Sequence, residues 1–113
     1  MSLKGKIAIV TGGSRGIGRA CAISLGKKGY TVVVNYNSNE AAANEVCDII
    51  KSNGSEASAY KADVSDLTQV KTMIRDVAKQ YGRIDVLVNN AGITYNALFQ
   101  NHLCSITHLS GYW

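Results

Sequence analysis

The sequence predicts an α/β fold in which a doubly wound parallel sheet carries helices on both faces. Short apolar runs alternate with segments of helical periodicity along the 113 residues, and a glycine-rich turn joins the first run to the first helix. Strands that alternate with helices in this way form right-handed crossovers and therefore a parallel sheet. The expected strand order is 3-2-1-4. We expect a truncated sheet, because a complete one with its catalytic half needs about twice this length.

The first strand and the turn after it are the most informative part of the sequence. Residues 7–10, IAIV, form a continuous apolar run that is typical of a strand buried on both faces. The segment TGGSRGIG follows at residues 11–18, and its glycines allow the backbone to approach a phosphate closely. The N–H groups at the helix start would face that anion. This placement predicts a Rossmann-like nucleotide-binding unit; the alternative is a tight turn whose small residues serve packing.

The helix that opens in this turn should place one apolar stripe against the sheet. That stripe consists of Ile17, Ala20, Cys21 and Leu25. Gly29 lies where a left-handed helix stop is expected. Residues 31–34, TVVV, then predict a second buried strand.

The second and third helices are predicted from capping residues and apolar spacing. Ser38 or Asn39 caps the second helix, and Gly54 follows its end. Asp66 with Gln69 forms a capping pair for the third helix. The predicted buried faces are Ala42, Val46, Ile49 and Ile50 in the second helix, and Leu67, Val70, Ile74, Val77, Ala78 and Tyr81 in the third, which ends at Gly82. Residues 57–62 and 84–88 are the third and fourth strands.

Charge and cysteine content exclude several classes of function. The net charge of +4 comes from scattered residues without a long basic run, which excludes a nucleic-acid footprint. The sequence contains an odd number of cysteines, namely Cys21, Cys47 and Cys104. Free thiols in a reducing compartment are therefore the simpler interpretation. No apolar run reaches the length of a membrane span or a signal-peptide core. We therefore expect no nucleic-acid or membrane partner and a cytoplasmic location, or the plastid stroma in a eukaryote.

Three motifs in this order resemble the short-chain dehydrogenase/reductase family. They are TGxxxGxG at residues 11–18, DV at residues 63–64 and NNAG at residues 89–92. The segments VVNY at 33–36 and GIT at 92–94 are similar to those of 3-oxoacyl-acyl-carrier-protein reductases within that family. The resemblance implies NADPH-dependent reduction of a 3-oxoacyl thioester in fatty acid biosynthesis. We expect residues 1–99 to be the N-terminal dinucleotide-binding half and residues 100–113 a divergent tail.

The resemblance also implies which residues contact the cofactor. Gly12, Gly16 and Gly18 would surround the pyrophosphate, and the hydroxyl of Ser14 and the guanidinium of Arg15 suit phosphate. Arg15 has the alternative of a solvated loop charge. The expected cofactor-binding residues are Gly12, Ser14, Arg15, Gly16, Ile17, Gly18, Asn35, Asp63, Val64, Asn90, Ala91 and Gly92.

Two of the implied contacts concern the adenosine end of the cofactor. Asp63 would bond the adenine amino group with Val64 against the ring, and its alternative is a carboxylate that favours the start of the next helix. Residues 90–92 would lie beneath the ribose, and their alternative is a stop to the fourth strand. The second strand ends in Asn35 rather than in a carboxylate that would bond the 2′-hydroxyl of NAD. NADP is therefore the expected cofactor, with NAD as the alternative.

The proton-donating part of the family's chemistry has no counterpart in this sequence. The family uses a tyrosine whose pKa is lowered by a lysine four residues later, with a serine and an asparagine beside it. None of the six tyrosines is followed by a lysine at that spacing. We predict no catalytic residue and expect the chain to be inactive alone. The alternatives are a noncatalytic nucleotide-binding or regulatory protein and a nonfunctional truncated product.

The last fourteen residues do not resemble the family's continuation. His102, Cys104 and His108 are potential metal ligands, but without a fourth ligand at standard spacing we predict no metal site. The truncation also leaves Val86 and Val88 on an unpaired edge of the fourth strand. We expect self-association through that edge unless the tail or a partner covers it.

Overall fold

Four parallel strands form the centre of the structure. The computed structural model describes residues 5–14, 16–90 and 105–108. Its elements are β1 (Ile7–Val10), α1 (Gly16–Lys27), β2 (Thr31–Tyr36), α2 (Glu40–Ser52), β3 (Ala57–Lys61), α3 (Leu67–Tyr81), β4 (Val86–Asn89) and β5 (Ser105–His108). The parallel strands lie in the order β3-β2-β1-β4. The predicted α/β class and the order 3-2-1-4 are both confirmed.

A fifth strand, which the sequence did not predict, extends the sheet beside β4. Strand β5 pairs with β4 in antiparallel register, with Ile106 opposite Val88 and His108 opposite Val86. The expectation of an unpaired β4 edge is therefore wrong, and the tail supplies the cover that it required. The β-branched residues Ile106 and Thr107 favour an extended backbone, and the strand satisfies N–H and C=O groups that an edge would leave open.

The two faces of the sheet carry separate hydrophobic clusters. On one face, Ala8, Val10, Val32 and Val34 pack with residues of α1 and α2. On the other face, Ile7, Ile9 and Val33 pack with residues of α3. Because side chains of a strand alternate between faces, the continuous apolar runs predicted from the sequence serve both clusters. Among the described helices, none combines the length and apolar character needed to cross a membrane.

Helix α1 packs through small residues, and the predicted stripe is wrong in part. Its buried residues are Gly18, Ala22 and Gly26, whereas Ile17 is 61% exposed and Ala20 is also exposed. Cys21 and Leu25 are half-buried against the core. A Cβ on Gly26 would lie 2.7 Å from Ile50 Cγ2. Close approach of the helix to its neighbours therefore decides which face is buried, and this favours small residues over large ones.

The other two helices confirm their predicted ends and part of their predicted faces. Asn39 caps α2 by accepting a bond from the Ala42 N–H, 3.0 Å away, and Gly29, Gly54 and Gly82 all have positive φ. The buried faces are Ala43, Val46, Cys47 and Ile50 in α2 and Val70, Met73 and Val77 in α3. Ala42, Ile49, Ile74, Ala78 and Tyr81 are half-buried, and Leu67 is 44% exposed. Each helix is rotated slightly from the predicted orientation, because contact with the sheet rather than hydrophobicity alone fixes its inner face.

Candidate functional site

The predicted site residues meet at the carboxyl ends of the parallel strands. The turn after β1, the end of β2 and the end of β4 lie at this edge. Strand order reverses between β1 and β4, since the chain leaves β1 toward β2 and β3 on one side and places β4 on the other. Ligands of open α/β sheets bind at such a switch point. The fold therefore brings the glycine turn and the first residues after β4 together at a position suited to a nucleotide.

Thr11 joins the ends of β1 and β4. Its side chain is 1% exposed, and its Oγ1 accepts a bond of 2.9 Å from the Asn90 N–H. The same hydroxyl lies 3.2 Å from the Val88 carbonyl oxygen and 3.4 Å from Asn89 Oδ1, which are both acceptors. Thr11 belongs to the quoted glycine motif but was not predicted as a site residue. Its position directly after a buried strand could have indicated a role in the site.

Gly12, Gly18 and Asn90 form a close contact across the switch point. Asn90 Nδ2 donates to the Gly12 carbonyl oxygen at 3.2 Å. A Cβ on Gly18 would lie 2.2 Å from that same oxygen and 2.5 Å from Asn90 Nδ2. A real Cβ atom does not come this close to a nonbonded atom, so glycine is needed at position 18 for α1 to begin this near the loop. Gly12 itself has a φ of 60°, which also favours glycine.

The start of α1 is the open part of the site. Gly16 has a φ of 60°, and a Cβ on it would meet none of the described residues within 4 Å. The first turn of the helix contains no acidic residue, and the N–H groups of a first turn have no acceptor within the helix. Ile17 is 61% exposed beside this opening, and Ser14 is half-buried in the turn before it. A cradle of this kind suits a phosphate group.

Asn35 lies beneath the glycine turn. Its side chain is 2% exposed, and Oδ1 accepts a bond of 3.1 Å from the Gly12 N–H. Its Nδ2 donates to the carbonyl oxygens of Tyr60 and Ala62, at 3.3 and 3.1 Å. The Asn35 carbonyl oxygen also accepts a bond of 3.0 Å from the Gly13 N–H. The amide predicted to face the cofactor is thus engaged by the protein's own backbone.

Asp63 and Val64 occupy the turn between β3 and α3. Asp63 Oδ1 accepts bonds from the Ser65 N–H at 3.0 Å and the Ser65 hydroxyl at 2.6 Å. These bonds lower the pKa of Asp63, so the side chain is a carboxylate at neutral pH. The Asp63 N–H donates to Gln69 Oε1 at 2.8 Å. Val64 is half-buried against the cluster beneath α3. The predicted contact with adenine stays a prediction.

Several predicted residues lie outside the part of the chain that the structure describes. These are Arg15, Ala91 and Gly92 of the cofactor set and His102 and Cys104 of the tail. Within residues 5–14 and 16–90, no three His, Cys, Asp or Glu side chains cluster closely enough to hold a metal ion. The described site therefore consists of backbone amides, neutral side chains and one carboxylate.

The sequence of this chain is similar to those of several known proteins. Residues 6–105 match the family described as short chain dehydrogenase. Over 93 residues the chain is 50% identical to a 3-oxoacyl-[acyl-carrier-protein] reductase of Staphylococcus aureus, which covers 82% of this chain and 38% of that protein. It is 48% identical over 91 residues to versicolorin reductase 1 of Dothistroma septosporum, covering 80% of this chain and 35% of the relative.

A solved structure is similar to this chain in both fold and sequence. A short chain dehydrogenase of Burkholderia cenocepacia J2315, crystallised in complex with NADP, is 43% identical with a TM-score of 0.76. The match covers 82% of this chain and 38% of that one. The chain thus spans less than two fifths of the length of these three proteins. The glycine turn, the parallel sheet and the match over residues 6–105 lead to one conclusion: this chain belongs to the short chain dehydrogenase family.

Proposed function

We propose that this chain binds NADP(H) at the carboxyl edge of the sheet, with the pyrophosphate at the start of α1. The observation that carries the proposal is the opening at Gly16, next to a helix start that lacks an acidic residue. N–H groups of a first helical turn, together with the helix dipole, stabilise phosphate. Ser14, Arg15, Ile17 and Gly18 would complete the contacts around the pyrophosphate.

The adenosine end of the cofactor would lie toward β3 and β4. Asp63 would accept a bond from the adenine amino group, since its low pKa keeps it an acceptor. Val64 would contact the ring, and Asn90, Ala91 and Gly92 would lie beneath the ribose. Gly12 and Asn35 would contribute by shaping the loop, because the Gly12 N–H is bonded to the Asn35 side chain.

NADP is preferred over NAD in this proposal. Residues 35–37, Asn-Tyr-Asn, provide no carboxylate at the end of β2. The next acidic residue is Glu40, and its Oε2 accepts a bond of 3.1 Å from the Tyr36 hydroxyl. Residues 35–37 carry no negative charge that would repel a 2′-phosphate. The Arg15 guanidinium would attract that phosphate. The NADP named in the Burkholderia cenocepacia complex supports this choice.

We further propose that the chain represents the cofactor-binding half of an oxidoreductase that reduces a 3-oxoacyl thioester. The 50% identity with the Staphylococcus aureus reductase supports that substrate class. NADPH supplies the hydride in such a reaction, and the described residues bind and orient the nucleotide. No tyrosine of the sequence has a lysine four residues later, so the chain alone would lack the paired proton donor.

A noncatalytic nucleotide-binding function is the second candidate. The observation that favours it is the combination of an intact glycine turn with the missing tyrosine–lysine pair. Such a protein would bind the nucleotide without turnover. Addition of a separate C-terminal half of the Staphylococcus aureus reductase distinguishes the two candidates. An enzyme half should then show reductase activity, and a noncatalytic protein should not.

Titration calorimetry of the chain with NADPH and NADH tests the cofactor proposal. We expect NADPH to bind more tightly than NADH at low salt, with the difference reduced at high salt because phosphate attraction is screened. Equal or tighter NADH binding would reject the preference, and no binding of either would reject the site. An assay of NADPH oxidation with an acetoacetyl thioester should show no turnover, and turnover by this chain would contradict the proposed inactivity.

The tail, residues 100–113, is proposed to protect the β4 edge against self-association. Strand β5 pairs along all four residues of β4. Ile106→Pro should disrupt this pairing, because proline removes an N–H from the strand. We expect light scattering to show dimers or larger species for the variant and monomers for the unaltered chain. An unaltered chain that already associates, or a monomeric variant, would count against this role.

A further inference from the structure

We propose that Asn35 is a positioning residue that fixes the phosphate-binding turn to the end of β3, rather than a residue that reads the ribose of the cofactor. This inference rests on the proposed nucleotide function. The Asn35 amide bonds to backbone atoms on both sides: Gly12 on the glycine turn, and Tyr60 and Ala62 at the end of β3. Asn35, near the end of β2, thus connects the glycine turn with the end of β3.

The chemistry of an amide matches these partners. Oδ1 faces an N–H group, and Nδ2 faces two carbonyl oxygens, so the acceptor and both donors of the side chain are used. The side chain is 2% exposed, so loss of these bonds would leave buried backbone groups unsatisfied. Serine and alanine are too short to span both partners, and aspartate has no N–H donors.

The consequence for phosphate binding follows from the directions of two N–H groups. The Gly12 N–H is directed to Asn35 Oδ1 and the Gly13 N–H to the Asn35 carbonyl oxygen. Both groups therefore point into the protein. With the Gly12 carbonyl oxygen bonded to Asn90 Nδ2, the peptide groups around Gly12 are fixed on both sides. These bonds fix the turn in a conformation that can receive an anion at the start of α1. Asn35 holds one side of the turn through its bonds to Gly12 and Gly13.

Alternation along β2 explains why Asn35 points inward. Val33 belongs to the cluster beneath α3, and side chains two residues apart share a face of a strand. Asn35 therefore lies on that same side, with Tyr36 on the side of α1 and α2. A carboxylate at position 35 would consequently face the carbonyl oxygens of Tyr60 and Ala62. It would disturb the turn instead of selecting NAD.

Asn35→Asp in the full chain tests this role, with Asn37→Asp as the matched control. Residue 37 is exposed, so it receives the same charge without the three bonds. Hydrogen exchange of the Gly12 amide, followed by NMR, reports on the turn without any cofactor. Calorimetry with NADPH and NADH, at a temperature where both variants are fully folded, reports on binding. Asn35→Ala removes the bonds without a buried charge and replaces Asn35→Asp if the latter does not fold.

We expect Asn35→Asp to speed exchange at Gly12 and to weaken NADPH binding, each about tenfold, with the ratio of NADPH to NADH affinity unchanged. Asn37→Asp should leave Gly12 exchange unchanged, whereas its exposed charge at the end of β2 should weaken NADPH binding relative to NADH binding. Unchanged Gly12 exchange in Asn35→Asp, or a preference reversed toward NADH, would overturn the proposal. If the unaltered chain binds neither nucleotide, the proposed function fails, and the Gly12 exchange rates alone decide whether Asn35 holds the turn.

Discussion

Helices α1 and α3 start at the same edge of the sheet but begin in different ways. At α3, Asp66 accepts a bond of 2.9 Å from the Thr68 N–H, and Gln69 Nε2 donates to the Asp66 carboxylate at 3.2 Å. Helix α1 begins at Gly16, where an added Cβ would meet none of the described residues within 4 Å, and its first turn contains no acidic residue. One helix start is satisfied by its own side chains, whereas the other is shaped by glycines.

This difference separates stability from ligand binding in the same fold. A side-chain cap such as Asp66 satisfies N–H groups that water or a ligand would otherwise bind. The first turn of α1 contains no acidic residue, and the close contact of Gly18 with Gly12 shapes the turn before it. Substitutions at α1 should therefore affect both nucleotide binding and folding, and substitutions at α3 should affect folding alone.

The largest expected effect is that of Gly18→Ala. The new Cβ would lie 2.2 Å from the Gly12 carbonyl oxygen, so the backbone must move. We expect the free energy of unfolding to fall by about 3 kcal/mol. NADPH binding should be lost. Urea denaturation and calorimetry measure the two effects. Gly13→Ala, whose Cβ would lie 3.1 Å from the Val10 carbonyl oxygen, is the control and should cost less. Equal losses for both variants would contradict the special role of Gly18.

Asp66→Ala should lower stability without a change in cofactor affinity. The variant loses the cap of α3 and its bond with Gln69, so we expect the free energy of unfolding to fall by about 1 kcal/mol. Asp66→Asn keeps a capping oxygen and should retain most of the stability. Urea denaturation and NADPH titration are again the measurements. A weakening of NADPH binding as large as that of stability would remove the contrast between the two helix starts.

The contact between β3 and α3 should make stability depend on pH in the alkaline range. Burial and the bond to Asp76 raise the pKa of Tyr60 to about 12. The unfolded chain, with a tyrosine pKa of about 10, then loses the proton first, and stability should fall as pH rises from 10 to 12. Denaturation at several pH values measures the slope. Asp76→Asn should reduce it, and an equal slope in that variant would rule out this pair as the cause.

The smallest effect concerns the carboxylate before α3. Ser65 donates two bonds to Asp63 and lowers the pKa of its carboxyl group. Ser65→Ala removes the hydroxyl bond, so the pKa of Asp63 should rise toward the ordinary value of about 3.9. In the unaltered chain the Asp63 contribution to stability is present above that value and is lost as pH falls through the lower folded pKa. An NMR titration of Asp63 that is unchanged in Ser65→Ala would show that another contact lowers its pKa.

The sequence by itself determined the order of the elements from β1 to β4, the order 3-2-1-4 of the parallel strands and the family. Apolar runs, caps such as Asn39 and stops such as Gly82 depend on near neighbours, so they are readable from local patterns. The motif at residues 11–18 was equally local, and its place between a strand and a helix follows from its flanking residues.

Only the tertiary structure decided which faces and edges these elements use. It buried Gly18, Ala22 and Gly26 of α1 in place of the larger Ile17, because the helix approaches neighbouring backbone and side chains closely. It placed β5 against β4 and turned Asn35 beneath the glycine turn. These outcomes depend on contacts between residues that are distant in sequence, such as Gly26 with Ile50, Val88 with Ile106 and Gly12 with Asn35. Local spacing carries no information about such contacts, because packing and hydrogen bonding across the sheet select among orientations that are locally equivalent.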